Sequence, residues 1–217
     1  MTTFPGSPRV LKGGIVLLDA DRGTVVSVIV LQYNPDTLTR TLQVQAMGET
    51  GDRSDALRLK GPPVETIKVD VEIDAADQLE HPGENPDVGS LGIHPQIAVL
   101  ESLVYPPSAR LLANDALARL GTLEIAAPES PQAVFVWSRQ RILPVRVTDV
   151  SVTEEAFDPS LNPLRAKVSL GLRVLSVTDL GFARKGGNLF LAYHQRLESL
   201  ARRVPQAGLA ALGVGAI

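Results

Sequence analysis

With 217 residues, the chain is long enough for one large domain or two small ones, each with a proper core. Hydrophobic residues make up 44% and charged residues 21%, and a formal net charge of −3 supplies no bulk attraction to nucleic acid or to an anionic membrane. Cysteine is absent, which removes disulfides, thiolate metal sites and a thiol nucleophile, and fits a reducing compartment.

In chain order, residues 1–12 read as a flexible arm, rich in Pro, Gly and Ser. MTTFPGSPRVLKGG lacks the uninterrupted apolar stretch of a secretory signal, and no run approaches the roughly 18–20 apolar residues that span a bilayer. The expectation is a cytoplasmic chain without direct membrane insertion. Two β-rich runs follow, GIVLLDA and TVVSVIVLQ, separated by the turn-type DRG. Apolar residues fall on both faces of the second run, which predicts a strand buried on both sides. Tyr33-Asn34-Pro35-Asp36 ends it: Pro35 has no N–H for a ladder and pushes Asn34 into extended backbone. Leu38, Leu42 and Val44 then suggest a return strand.

Residues 46–63 read as a polar, Gly-rich loop with one short strand. In ETIKVDVEID, Ile67, Val69, Val71 and Ile73 alternate with Lys68, Asp70, Glu72 and Asp74, so one face lies in a core and the other in water or against a polar partner. Residues 75–94 read as a long acidic loop, ordered only by a neighbour. Pro95 suits the first turn of a helix through PQIAVLESLVY, and a second helix is expected in ARLLANDALARL.

Four more β segments follow: GTLEIAA, QAVFVWS, ILPVRVTDVSVTEEAF and PLRAKVSLGLRVLS. The apolar phase slips between Val147 and Val150, which predicts a bulge at Thr148-Asp149. In the last strand Val168, Leu170, Leu172 and Val174 share a face. ARKGGN then reads as a hinge, with Asn188 as the N-cap of a helix carrying Phe190, Tyr193, Leu197, Leu200 and Val204 on one stripe. The expected class is mainly β (α+β), a closed or nearly closed barrel or packed sheets with a flanking helix. Residues 13–180 form that domain, and 181–217 form a hinge, an amphipathic helix and an apolar tail that docks on a neighbour.

Catalytic chemistry is hard to assemble. His81 and His94 bracket the acidic loop without HExxH or EF-hand spacing, and His194 sits among polar helix residues. GSLG at 89–92 is one residue short of a nucleophile elbow, and no phosphate-binding GxxxxGK[ST] occurs. Trp137 lies in a strand pattern and reads as packing. Arg196, Arg202 and Arg203 read as a solvated helix face. No cofactor, metal or catalytic set is expected, and the chain reads as a non-enzyme.

Two stretches resemble a known family. VLQYNPDTLTR resembles the aromatic-Asn-Pro-x-x-Leu opening of the contractile injection system tube and hub-adaptor proteins, which build phage-tail-like particles. VFVWSRQRILPVRVTDVSVTEEAFDPSLNPLRAKVSLGLRV is similar to that family's closing block, in which a hairpin leads through a Phe-containing loop (here Phe157) to Pro163-Leu164-Arg165-Ala166. The likeness spans about residues 12–178, with Trp137-Ser138 in place of the frequent Trp-Gly and no LysM pattern after 178. The resemblance implies a tail-tube-like fold, six-fold self-association, and tube, spike and other baseplate proteins as partners. It implies a hub or tube-initiator ring that links spike and inner tube, in a particle released or kept in the cell. A repeated inner-tube ring and a freestanding β-sandwich binding module are the alternatives. The expected assembly residues are Tyr33, Asn34, Pro35, Asn162, Pro163, Leu164, Arg165, Phe190, Tyr193, Leu197 and Leu200. Tyr33-Asn34-Pro35 reads equally as a docking turn or as the closure of a hairpin.

Overall fold

Among the described residues seven strands form one antiparallel sheet: β1 Gly14–Leu18, β2 Val25–Val30, β3 Leu38–Gln43, β4 Val64–Asp74, β5 Gln132–Ser138, β6 Arg141–Phe157 and β7 Pro163–Val174. Their spatial order is β2-β1-β5-β6-β7-β4-β3. The helices are α1 Ala76–Leu79, α2 Pro86–Leu91, α3 His94–Glu101, α4 Ser108–Arg119, α5 Val177–Leu180 and α6 Lys185–Ala201, with a 3-10 turn at Leu209–Leu212. The structure is a computed structural model that describes residues 11–19, 22–46, 58–119, 121 and 131–214. Most of the expected N-terminal arm, the centre of the 46–63 loop and the expected GTLEIAA strand lie outside the described residues.

The alternation in β4 has the consequence expected of it. Ile67, Val69, Val71 and Ile73 are all buried, while Lys68, Asp70 and Glu72 are exposed. In β7, Val168, Leu170, Leu172 and Val174 share the buried face. The bulge in β6 is also present: register with β7 shifts between Val147 and Asp149. The opposing strand accommodates it at Gly171, where a Cβ would lie 2.1 Å from an Asp149 carboxylate oxygen.

β2 and β3 are consecutive in sequence yet stand at opposite edges of the sheet. The expected return strand exists, but it pairs with β4 rather than β2, so the turn at 33–36 closes no hairpin. Gly14 pairs with Val136 and, through it, lies level with Ile142 near the start of β6. Asp74 pairs with Arg165 and lies level with Glu155 near the end of β6. Residues 142 and 155 are about 43 Å apart along an extended strand at ~3.3 Å per residue. Two consecutive residues nevertheless span the gap. Leu31 N–H donates to Gly13 O at 3.0 Å, and the Gln32 side chain bonds Asp74 at 2.7 and 3.1 Å. Only a sheet rolled on itself brings those ends together. Among the described residues its ladder stays open between β2 and β3.

The rolled sheet is stopped by helices. Ile93 N–H donates to Pro163 O at 2.9 Å, and Ile93, Ile97 and Leu100 join the core beside the β6–β7 turn. Phe190 and Tyr193 of α6 enter the same core from the other end of β6, where Tyr193 bonds Arg141.

Four expectations are corrected here. Residues 75–94 are not a structureless loop, because α1 and α2 occupy much of the segment and Val88 is buried. β2 is not buried on both sides: it is an edge strand with Val25, Val26, Val28 and Val30 each 57–61% exposed. Its run of apolar residues on both faces belongs to an edge strand that water still reaches. ARKGGN is no hinge, since α6 begins at Lys185 with Arg184 as N-cap, in place of Asn188. Gly187 is needed for close packing, because a Cβ there would meet Gly181 O at 1.9 Å. The helical arm therefore starts inside the domain, with Phe190 and Tyr193 at 8% and 4% exposure.

Candidate assembly surfaces

Pro35 ends the β2 run and leaves Gln32, Tyr33 and Asn34 to bridge the sheet edges with their side chains. A primary amide carries the same donor and acceptor as a peptide group, so it can stand in for a missing strand. Gln32 Nε2 donates to Asp74 O, and Asp74 N–H donates to Gln32 Oε1. Asn34 repeats the device on the segment just ahead of β1: Nδ2 donates to Leu11 O at 2.7 Å, and Gly13 N–H donates to Oδ1 at 2.9 Å. Tyr33 donates its hydroxyl to Asp77 Oδ2 at 3.4 Å. Burial and then the charges of Asp77 and Asp74 push the Tyr33 hydroxyl up from its ordinary value. Pro35 is half-buried beside these groups.

This pair of amide clamps gives an expected result. Gln32→Ala with Asn34→Ala removes four hydrogen bonds worth about 1 kcal/mol each at most, since the released groups regain water in part. A loss of about 2–4 kcal/mol in denaturant unfolding, with the amides of Gly13 and Asp74 exchanging faster, is expected. An unchanged midpoint would mean that the clamps carry no stability.

Beside the clamps, the 33–37 segment roofs a groove of about 670 Å³ whose floor is the polar face of three strands. Across that face Asp70 pairs with Ser169, which pairs with Ser151, and Glu72 pairs with Lys167, which pairs with Thr153. The groove is therefore wet and carries both signs of charge. Asp74 closes its row through Arg165 at 2.7 Å. Burial raises the Asp74 carboxyl, but the Ala76 amide and Arg165 outweigh it and hold the group below its usual range.

The second expected set, Asn162 to Arg165, is occupied within the chain. Asn162 Nδ2 donates to Asp158 Oδ2 at 2.8 Å and to Ser90 O at 3.2 Å. Pro163 is buried, Leu164 O accepts from Ala75 N–H, and Arg165 holds Asp74. What this hairpin end leaves outside is Phe157, 50% exposed, and Leu161, 76% exposed. The expected stripe divides in the same way: Phe190 and Tyr193 are buried, Leu197 and Leu200 are 39% and 38% exposed, and Val204, 66% exposed, falls past the end of α6 at Ala201 rather than on the helix.

Sequence reasoning missed the network beneath α6. Arg40 Nε donates to Glu65 Oε1 at 2.6 Å, and Arg40 Nη2 donates to the Tyr193 hydroxyl at 2.8 Å. Glu65 is only 5% exposed. A signal existed, because Glu65 is in phase with Ile67 and Val69 and so points into the core. A buried carboxylate needs a cationic partner. The hydrogen bond to Glu65 holds the Arg40 guanidinium above its ordinary value, and burial pushes the Tyr193 hydroxyl up.

Among the described residues, no three His, Asp or Glu side chains converge where a metal ion could sit. No helix among them is long and apolar enough to cross a membrane. His194 stacks on Phe190, with ring centroids 6.3 Å apart, and faces Glu198 at 3.8 Å. Trp137 stacks on Phe135 at 5.9 Å. Protein-family models and curated protein sequences return no match to this chain.

Proposed function

We propose that the chain is a structural subunit of a contractile injection system, forming a baseplate hub or tube-initiator ring between spike and inner tube. The observation that carries this reading is strand β2. It presents four valines at 57–61% exposure on a sheet edge that no other described strand pairs with, without a charged residue inside the strand. Such an edge invites aggregation unless a neighbour covers it. A six-fold ring of identical copies gives every edge the same neighbour and closes without a free end. The polar face of β4, β7 and β6 suits the wetted side of such a ring. The resemblance in residues 30–40 and 134–174 supports the same reading, since these stretches form the crossing turn and the longest hairpin of the sheet. A tail-tube-like fold, assembly in the cytoplasm, and tube, spike and other baseplate proteins as partners belong to this proposal.

The test is native mass spectrometry and negative-stain imaging of the chain, alone and co-expressed with the products of neighbouring genes. Six-fold rings that enter a particle at one copy set per end are expected. Many copies per particle would instead make it the shaft tube. A monomer that never enters a particle would leave a freestanding binding module and sink the proposal.

A further inference from the structure

Among the described residues, only Ala156 and Leu161 combine a side chain with positive φ, at 52° and 65°. Both stand at the β6–β7 turn. A leucine in left-handed backbone is strained where glycine is not. The turn is held in place regardless: Asp158 Oδ1 accepts the Ser160 and Asn162 amides at 2.7 and 2.8 Å, and Asn162 ties the turn to Ser90. The product is a rigid tip that pushes Leu161 and Phe157 into water, which gives the isolated fold nothing. Strain kept in this way marks a position where the side chain acts elsewhere.

The unpaired charge nearest the tip is acidic: Glu154 is exposed and the bonds from Asn162 hold the Asp158 carboxyl below its usual range, while Lys167 behind them is taken by Glu155. The uncovered end of the α6 stripe, Leu197 and Leu200 with Val204 just past the helix, carries the opposite sign in excess: Arg202 and Arg203 are exposed, against Glu198, which faces His194. Apolar content and charge therefore match. The two patches also lie toward opposite ends of β6: the tip follows Phe157, and α6 packs near Arg141 and Arg139. That is about 50 Å of strand. One copy leaves both uncovered.

We infer that the β6–β7 tip of one copy docks on the exposed end of the α6 stripe of a second copy, in a head-to-tail contact. The contact deepens the ring-subunit reading and rests on it for the presence of many copies. Two side chains meeting three make a small patch against the ~1,200 Å² of a stable interface, so a single contact is weak and concentration-dependent. Salt weakens it further, because its rim is charged.

Sedimentation velocity over a range of concentrations reads the contact, with circular dichroism to confirm folding. Leu161→Gly relieves the strain, so it is expected to melt a few degrees higher while losing association at least tenfold. Glu154→Lys alone and Arg203→Glu alone are each expected to weaken association severalfold, and the two combined in one chain to restore it. A wild-type chain that stays monomeric throughout overturns the inference, as does Leu161→Gly associating like wild type or a double variant no better than the singles. Head-to-tail chains that never close into rings or enter a particle would uphold this contact and sink the ring-subunit reading.

Discussion

Val69→Asp is expected to leave no folded domain, with the chain recovered aggregated or with the circular dichroism of an unfolded protein. Val69 is 1% exposed at the centre of β4, paired with Leu170 on one side and Leu38 on the other. A carboxylate there has no cation opposite it, since Arg40 is already held by Glu65 two rows away. Burying an unpaired charge costs several kcal/mol, on the order of the ~5–15 kcal/mol that holds a domain together. Asp70→Asn supplies the control. Asp70 is exposed on the polar face, and its substitution should leave the melting temperature within about a degree or two, as surface changes of ~0.5 kcal/mol or less do. A folded Val69→Asp would show that the buried face of β4 tolerates charge, and the packing described for the sheet would be wrong.

The same strand shows what the sequence makes legible. Strict alternation over β4 identifies its buried face residue by residue, because period two and burial on one side leave a single solution. The bulge in β6 is legible for the same reason: a phase slip between Val147 and Val150 has no other cheap explanation. Edges are different. Nothing in VVSVIV separates a central strand from an edge strand, because partner identity is set by topology and not by the strand's own residues. The crossing from β2 to β3 was hidden likewise. Tyr33-Asn34-Pro35-Asp36 has the chemistry of a tight turn, and only the register of the five other strands shows that it spans two edges of a rolled sheet. The amide clamps could have been suspected from Gln32 and Asn34 flanking an aromatic at a strand end, but their targets, Asp74 and Gly13, lie far away in sequence. In the acidic segment 75–94, charge masked two short helices that Val88 and Ile93 anchor to the core.

Deleting residues 186–217 is expected to unfold the protein, where a detachable arm would have left the β domain intact. The glycine pair that looks like a hinge is instead the first turn of α6, packed so closely that Gly187 has no room for a Cβ. Removing the helix takes Phe190 and Tyr193 out of the core, about 1.5–3 kcal/mol each by burial alone. It also strips the Tyr193 hydroxyl from Arg40 and opens the Arg40–Glu65 pair, which lies under that helix, to water. An ion pair that loses its cover loses most of its worth, since exposed pairs contribute ~0–1 kcal/mol. Lys185 would survive the cut, but its bond to Gly23 O depends on a helix start that no longer exists. The sum is comparable to the whole stability of a domain this size. A shorter deletion, 205–217, separates core from surface: it spares every buried residue of α6 and should melt within a few degrees of the full chain. Thermal melts of the two truncations decide the matter. A folded 1–185 fragment would return α6 to the status of an arm, and an unfolded 1–204 fragment would place the last residues in the core as well.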